Sequence, residues 1–472
     1  MAETKKDLVV IGAGPGGYPA AFHAADKGLN VTLIDKEENP GGVCLYRGCI
    51  PTKTLLHVCD IIREAKNAAR FGVSYSDPDI NLDTLRKWKN QVVNKNVTGL
   101  GQLAQKRNIK YMQGEAKFID SHKLEVENST GSERIEFDKC IIATGSAPAS
   151  LPDISIDSSH IIYSKEGLEI QEIPDTMLVI GGGYIGLEMG TIYAGLGSKV
   201  TVVEMMDQIL PGCDNDLVRT YSMKARKTFT SIKVNTTVTD MKEEDNGVKV
   251  SLKDKDGNIE AKTFDKVLVS IGRNPNSQNL GLENTKITTN EKGFIEVNSN
   301  RQTSESNIYA IGDVVGGVML AHKATHEAKF AIESMLGNDK PFDPQAIPAV
   351  LFTDPEIAWC GLTEEEAKKK GMGIKIAKFP WGASGRASSL GRMDGVTKLI
   401  IDPATEHILG VGITGPHAGE LISEGALCVE NVLKASQLAN TIHPHPTLSE
   451  TLMEAADVFY NSCVHIYNPL RR

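Results

Sequence analysis

The 472-residue chain is defined first by what it does without. No run of apolar residues approaches the roughly 20 that a membrane-spanning helix needs. Positive charge is not in surplus: 51 Lys and Arg against 60 Asp and Glu leave a net charge of −9. That balance argues against a nucleic-acid surface and suits an acidic cytoplasmic enzyme. The opening MAETKKDLVV lacks both an apolar signal core and an Arg-rich amphipathic leader, so the expected location is the cytoplasm. Paired cysteines are scarce too. Six of the eight (Cys59, Cys140, Cys213, Cys360, Cys428 and Cys463) stand singly, and each is expected to be a small buried hydrophobe. Short-spaced sets of Cys and His ligands are also missing, and no metal site is expected.

What is present is length and repetition. The chain exceeds one ordinary core and calls for two to four domains, and 40% hydrophobic with 24% charged residues is a globular composition. DLVVIGAGPGGYPAAFHAADKGLNVTLIDKE (7–37) and TMLVIGGGYIGLEMGTIYAGLGSKVTVVEMM (176–206) follow one plan. Each has an apolar strand, then G-x-G-x-x-G, an Ala/Gly-rich helix, and a second strand ending in an acid. The glycines are Gly12, Gly14 and Gly17, then Gly181, Gly183 and Gly186; the acids are Asp35 and Glu204. The glycines permit a tight turn, close approach of a pyrophosphate and close helix–strand packing, while the acid takes a ribose hydroxyl. One such motif is a weak signal. Two in register point to two nucleotide cofactors. Glu204 would repel a 2′-phosphate, and EMMDQILPGC supplies no arginine, so NAD is the expected hydride carrier.

Beside the first motif lies GGVCLYRGCIPTK (41–53), with Cys44 and Cys49 five positions apart. Zinc would need further ligands, and only His57 and the lone Cys59 are near. A structural cross-link over so short a loop would add little stability. A redox-active dithiol next to a flavin accommodates all the features. Five residues along a regular helix separate Cα atoms by roughly 8–9 Å, whereas a disulfide needs less than about 7 Å. An irregular turn, loosened by Gly48 and the Gly41-Gly42 pair, is therefore expected.

GGVCLYRGCIPTK resembles the redox signature of the FAD-dependent pyridine nucleotide–disulfide oxidoreductases, and the resemblance covers the whole chain. ATGSAP (143–148), VSIGRNPN (269–276), NIYAIGDVVGGVMLAHKA (307–324) and TIHPHPTLSE (441–450) extend it. It implies that Cys49 is the flavin-facing charge-transfer thiolate and Cys44 the interchange thiol. Lys53 is implied to pair with Glu188 near the reactive flavin nitrogen. HPHPTLSE offers two histidines. The family pattern aligns on His445 as the base that takes the substrate thiol's proton, with Glu450 orienting it and His443 left a structural role. Gly145, Asp313, Ala116 and Ala321 are implied for FAD, Val238 and Gly272 for NAD. Tyr46-Arg47 depart from the Asn-Val that the family commonly carries.

The fold so implied is α/β: two Rossmann-like nucleotide-binding domains and a C-terminal α+β dimerisation domain. Residues 1–146 begin the FAD domain, 147–274 form the NAD domain, 275–345 complete the FAD side, and 346–472 form the dimerisation domain. Alternating strands and two helical stretches are expected after 347, with LTEEEAKKKG (362–371) a solvated helix. The implied protein is a homodimer in which each C-terminal domain completes the partner's site. Its implied activity is the NAD+-dependent reoxidation of dihydrolipoyl-lysine on lipoyl domains of 2-oxoacid dehydrogenase acyltransferases or on a glycine-cleavage carrier. The alternatives are an NAD(P)H-driven disulfide or mercuric reductase and, from another class, a non-enzymatic flavin and NAD redox sensor.

Overall fold

The computed structural model describes residues 4–152, 154, 158–338 and 340–467. Its architecture is the α/β one with two Rossmann-like sheets and an antiparallel C-terminal unit. In the first sheet the strand Thr4–Ile11 pairs in parallel with Val31–Asp35 on one side and with Gly131–Ile142 on the other. Lys110–Gln113 continues it beyond Val31–Asp35, and Ile308–Ala310 pairs with Gly131–Ile142. The second sheet repeats the order with Ser231–Lys233, Lys199–Val203, Thr176–Ile180, Lys266–Val269 and Ile161–Ile162, all parallel. Helices cover one face of each sheet and an antiparallel β layer the other, so the strands are buried on both sides and read as unbroken apolar runs; Leu8, Val9, Val10, Leu178 and Val179 are fully buried.

The chain passes from the first unit into the second at Ser146–Pro148 and returns at Arg273–Pro275. These two segments lie antiparallel against each other, with Ser146 opposite Pro275. After 347 come five antiparallel strands, in the order 349–351, 356–361, 408–415, 396–401, 375–380. The helices here are Glu364–Lys369, Gly385–Ser389, Ala418–Glu430, Ala435–Ala439 and Glu450–Phe459, rather than the two expected. Three of them have only five or six residues, too short to show a periodic apolar face. All six single cysteines are buried. Among the described residues no helix is long and apolar enough to cross a membrane.

Helix Glu364–Lys369 is more than a solvated face. Its Glu364 bonds the ammonium of Lys398, a fully buried lysine of the antiparallel sheet. Asp214 and Asp216, at the start of helix Asn215–Thr228 in the second unit, reach the same nitrogen at 2.7 and 2.9 Å. Burial opposes the lysine's charge, but Asp214 and Glu364 outweigh it and its pKa rises. The second and third units are thus joined by one buried cation. Replacing Lys398 by Met should leave Asp214 buried without its partner and destabilise the protein by about 2–4 kcal/mol. A denaturant midpoint shift worth less than about 0.5 kcal/mol would show that Lys378, 2.6 Å from Asp216, suffices as counter-charge for the cluster.

Candidate functional site

The two glycine motifs are built alike to the level of single contacts. Gly12 and Gly181 have φ of 94° and 105°, and a Cβ on either would lie 2.4 Å from a carbonyl oxygen of the neighbouring strand end, Ala143 or Ser270. At Gly17 and Gly186 a Cβ would collide with the carbonyl of Gly12 or Gly181, at 1.7 and 2.1 Å. The middle glycines have room: nothing lies within 4 Å of a Cβ on Gly183, and one on Gly14 would meet only Gly42 Cα, at 3.9 Å. That is the room a pyrophosphate needs in front of a helix N-terminus. Each acid grips its own turn. Asp35 accepts from Ala13 N at 2.6 Å and from Glu37 N at 2.9 Å, and Glu204 from Gly182 N at 2.8 Å and from Met206 N at 2.9 Å. The residues present fit two dinucleotides.

Next to the first turn, the helix Gly42–Arg47 stops and a second, Cys49–Asn67, begins. Gly48 between them has φ −143° and ψ −116°, outside the helical region. A Cβ there would meet Val43 O at 2.8 Å and Cys44 Cα at 3.2 Å, so only glycine lets the two turns close on each other. The break brings the two sulfurs into hydrogen-bond contact, with Cys44 half-buried and Cys49 exposed. The two thiols share one proton-bearing contact across the break. Contact with Cys49 and burial drive the Cys44 pKa up, while contact with Cys44 and the nearby Lys53 ammonium hold Cys49 at about 7. In the dithiol state Cys49 is the sulfur that carries negative charge near neutrality.

Lys53, one turn beyond Cys49, bonds Glu188 Oε2 at 2.7 Å. Glu188 projects from the helix that follows the second glycine motif, 135 residues away in sequence. Its other oxygen accepts from Phe352 N at 3.0 Å, and the Lys53 ammonium stands 4.7 Å from the centre of the Phe352 ring. All three units meet at this ion pair. Sequence reasoning missed Phe352 because a backbone N–H leaves no compositional trace. Replacing Lys53 by Met removes the cation that holds Cys49 down. The Cys49 pKa should then rise by about one unit from about 7, depleting thiolate at pH 7 several-fold and sparing it above pH 9. Thiolate absorbance at 240 nm against pH reads this directly, and an unmoved curve would remove Lys53 from the account.

His445 Nδ1 lies 2.9 Å from Glu450 Oε1, and the second oxygen of Glu450 accepts from Thr447 N at 2.8 Å. The imidazole is 76% exposed in the single chain. His443 is tucked in instead, between Glu424 at 2.7 Å and the Thr441 carbonyl at 2.8 Å. Asp313 accepts from the Ser146 hydroxyl, which in turn accepts from Arg273 Nε at 2.6 Å. Ser146 and Arg273, both unforeseen, thus hold Asp313 where the chain crosses between the nucleotide units. Gly145 beside them has φ 72° and an open Cβ direction. Ala116 is buried in the strand Glu115–Asp120, Ala321 opens the helix Ala321–Met335, Val238 lies at a bulge in Thr237–Glu244, and Gly272 precedes Arg273.

Comparison with known proteins bears on this geometry. Residues 6–328 match the family described as pyridine nucleotide-disulphide oxidoreductase, and residues 347–456 match its dimerisation domain. The dihydrolipoyl dehydrogenase of Vibrio parahaemolyticus is 43% identical over 466 residues, covering 99% of this chain and 98% of its own. That of Haemophilus influenzae is 44% identical over 467 residues, covering 99% and 97%. Among solved structures, LpdA of Mycobacterium tuberculosis superposes with a TM-score of 0.88 at 27% identity, covering 96% of this chain and 99% of its own. The HOCl-induced flavoprotein disulfide reductase RclA of Escherichia coli, as its Cu(II) complex, gives 0.86 at 29%, covering 96% and 99%.

Proposed function

Since the chain belongs to the pyridine nucleotide-disulphide oxidoreductase family, we propose that it is an FAD-dependent dihydrolipoyl dehydrogenase with NAD+ as acceptor. The observation that carries this reading is the thiol pair brought together across Gly48 beside the first glycine turn, with the Lys53–Glu188 ion pair one turn on. Gly12, Gly14, Gly17, Asp35, Lys53, Ala116, Gly145, Asp313 and Ala321 would hold FAD, and Gly181, Gly183, Gly186, Glu204, Val238 and Gly272 would hold NAD. FAD, when bound, supplies the two-electron relay between the sulfurs and the nicotinamide.

The chain's own residues do the rest. Glu450 occupies Nδ1 of His445, which leaves Nε2 to accept the proton of a dihydrolipoyl thiol. The thiolate so formed attacks Cys44 Sγ, the Cys44–Cys49 bond breaks, and Cys49 leaves as the thiolate that Lys53 stabilises. The second dihydrolipoyl thiol then displaces Cys44, giving cyclic lipoyl disulfide and the Cys44 thiol, which keeps one proton. Two electrons have entered the dithiol; as the Cys44–Cys49 bond re-forms they leave, with the Cys44 proton, as the hydride that reduces NAD+, and the proton on His445 goes to solvent. Lys53, backed by Glu188, holds the charge at Cys49 from the moment the disulfide opens.

The division into segments 1–146, 147–274, 275–345 and 346–472 belongs to the same proposal, supported by the paired crossing strands 146–148 and 273–275. So do a homodimer, lipoyl domains of acyltransferases or a glycine-cleavage carrier as partners, and a cytoplasmic location. The deciding experiment gives the purified holoenzyme three pairs: dihydrolipoamide with NAD+, glutathione disulfide with NADPH, and Hg²⁺ with NADPH. A preference for the first is expected. Preference for either of the others would replace this reading by a disulfide or mercuric reductase.

A further inference from the structure

The helix Gly42–Arg47, which carries Cys44, has no buried residue and no side-chain cap at its N-terminus. Something else must hold it. One tie is the backbone bond from Gly41 N to Ala13 O at 2.9 Å. Two more come from Tyr46 and Arg47. The Tyr46 hydroxyl donates to Asn39 O at 3.0 Å and accepts from Asn39 N at 3.2 Å. Arg47 forms an ion pair with Glu37, both side chains about 30% exposed, and its guanidinium lies 6.0 Å from the centre of the Tyr46 ring.

Both partners sit in the short loop after Asp35. Glu37 N donates to Asp35 at 2.9 Å. From the far side the loop is held by Tyr111, whose hydroxyl donates to Glu37 O at 2.8 Å, and by Gln113, which donates to Lys36 O at 2.9 Å. The acid at the end of the strand, its loop and the helix of the outer sulfur therefore form one braced unit. We propose that Tyr46 and Arg47 are positioning residues that lock the Cys44 helix to the Asp35 loop, so that retention of the flavin dinucleotide and the reactivity of Cys44 are set together. The proposal rests on the reading that the first glycine turn takes FAD.

Arg47→Val, Tyr46→Phe and the double Tyr46→Asn, Arg47→Val variant, which removes both ties, test it against Arg47→Lys, which keeps a cation. Two readouts besides turnover are used. One is the rate of FAD release in sub-denaturing guanidinium, followed by flavin fluorescence. The other is iodoacetamide labelling of Cys44 in the NADH-reduced holoenzyme, read by peptide mass. Loss of a partly buried ion pair should raise both rates about fivefold in Arg47→Val, more in the double variant, with Arg47→Lys near the parent and far-UV dichroism unchanged. Parent protein that holds FAD, with all variants matching it in both rates, would overturn the brace alone. Parent protein that purifies without FAD and binds none when it is added would overturn the functional reading itself.

Discussion

Cys49→Ser should abolish dihydrolipoamide-dependent NADH formation, a loss of at least about 10⁴-fold, while the protein folds and keeps its flavin. The side chain is exposed and the substitution nearly isosteric, so no packing is lost. What disappears is chemical. A hydroxyl cannot form the bond to Cys44 that stores the electron pair, and it cannot hold a negative charge near pH 7 as Cys49 does with Cys44 and Lys53 beside it. The nucleotide turns are untouched, so electron transfer from NADH through the flavin to ferricyanide should persist near the parent rate. This pairing separates three readings. An enzyme working through the dithiol loses the first activity and keeps the second. A sensor with a regulatory disulfide has no dihydrolipoamide turnover to lose in the parent. Retention of more than about 1% of the lipoamide rate in Cys49→Ser would mean that the electrons travel by another route.

How much of this was legible in the sequence depends on whether a feature is a local constraint. The two nucleotide units were, because the first and last glycines of each motif answer a local steric demand: the positive φ of Gly12 and Gly181, and the near-contact of Gly17 and Gly186 with their own turns' carbonyls. The break at Gly48 was legible for the same reason, since two sulfurs five residues apart cannot meet on an unbroken helix. Short elements were not. Helices such as Ala435–Ala439 expose no period to read. Nor were the tertiary polar groupings: nothing near Lys398 in sequence says that Asp214 will lie 2.7 Å from it, 184 residues away. The Tyr46-Arg47 departure was visible as an oddity, yet its partners Glu37 and Asn39 emerge only when the loop folds back onto the helix.

Mixing two dead variants should restore activity. His445 is 76% exposed, and among the described contacts its side chain is tied only to Glu450, so in a single chain the base faces outward. A general base must stand within hydrogen-bond reach of the proton it removes. If a two-fold axis brings the partner's Cys44 and Cys49 to it, every active site takes its sulfurs from one chain and its imidazole from the other. His445→Gln alone should then lower turnover by about 10²–10⁴-fold, the range for a lost general base. Cys49→Ser alone should lower it further. In the mixed dimer one site receives both lesions and the other receives neither. Half of the dimers in a random mixture are mixed, and each has one intact site of two, so about a quarter of the parent rate should return. Sites built within single chains give a different result, because every site would then carry one lesion and the mixture would stay as inactive as its parts. Refolding or co-expression from differently tagged chains, with the doubly tagged fraction isolated, isolates the mixed species. That fraction should show about half the parent rate, and failure to exceed the His445→Gln level would place the base and the sulfurs on one subunit.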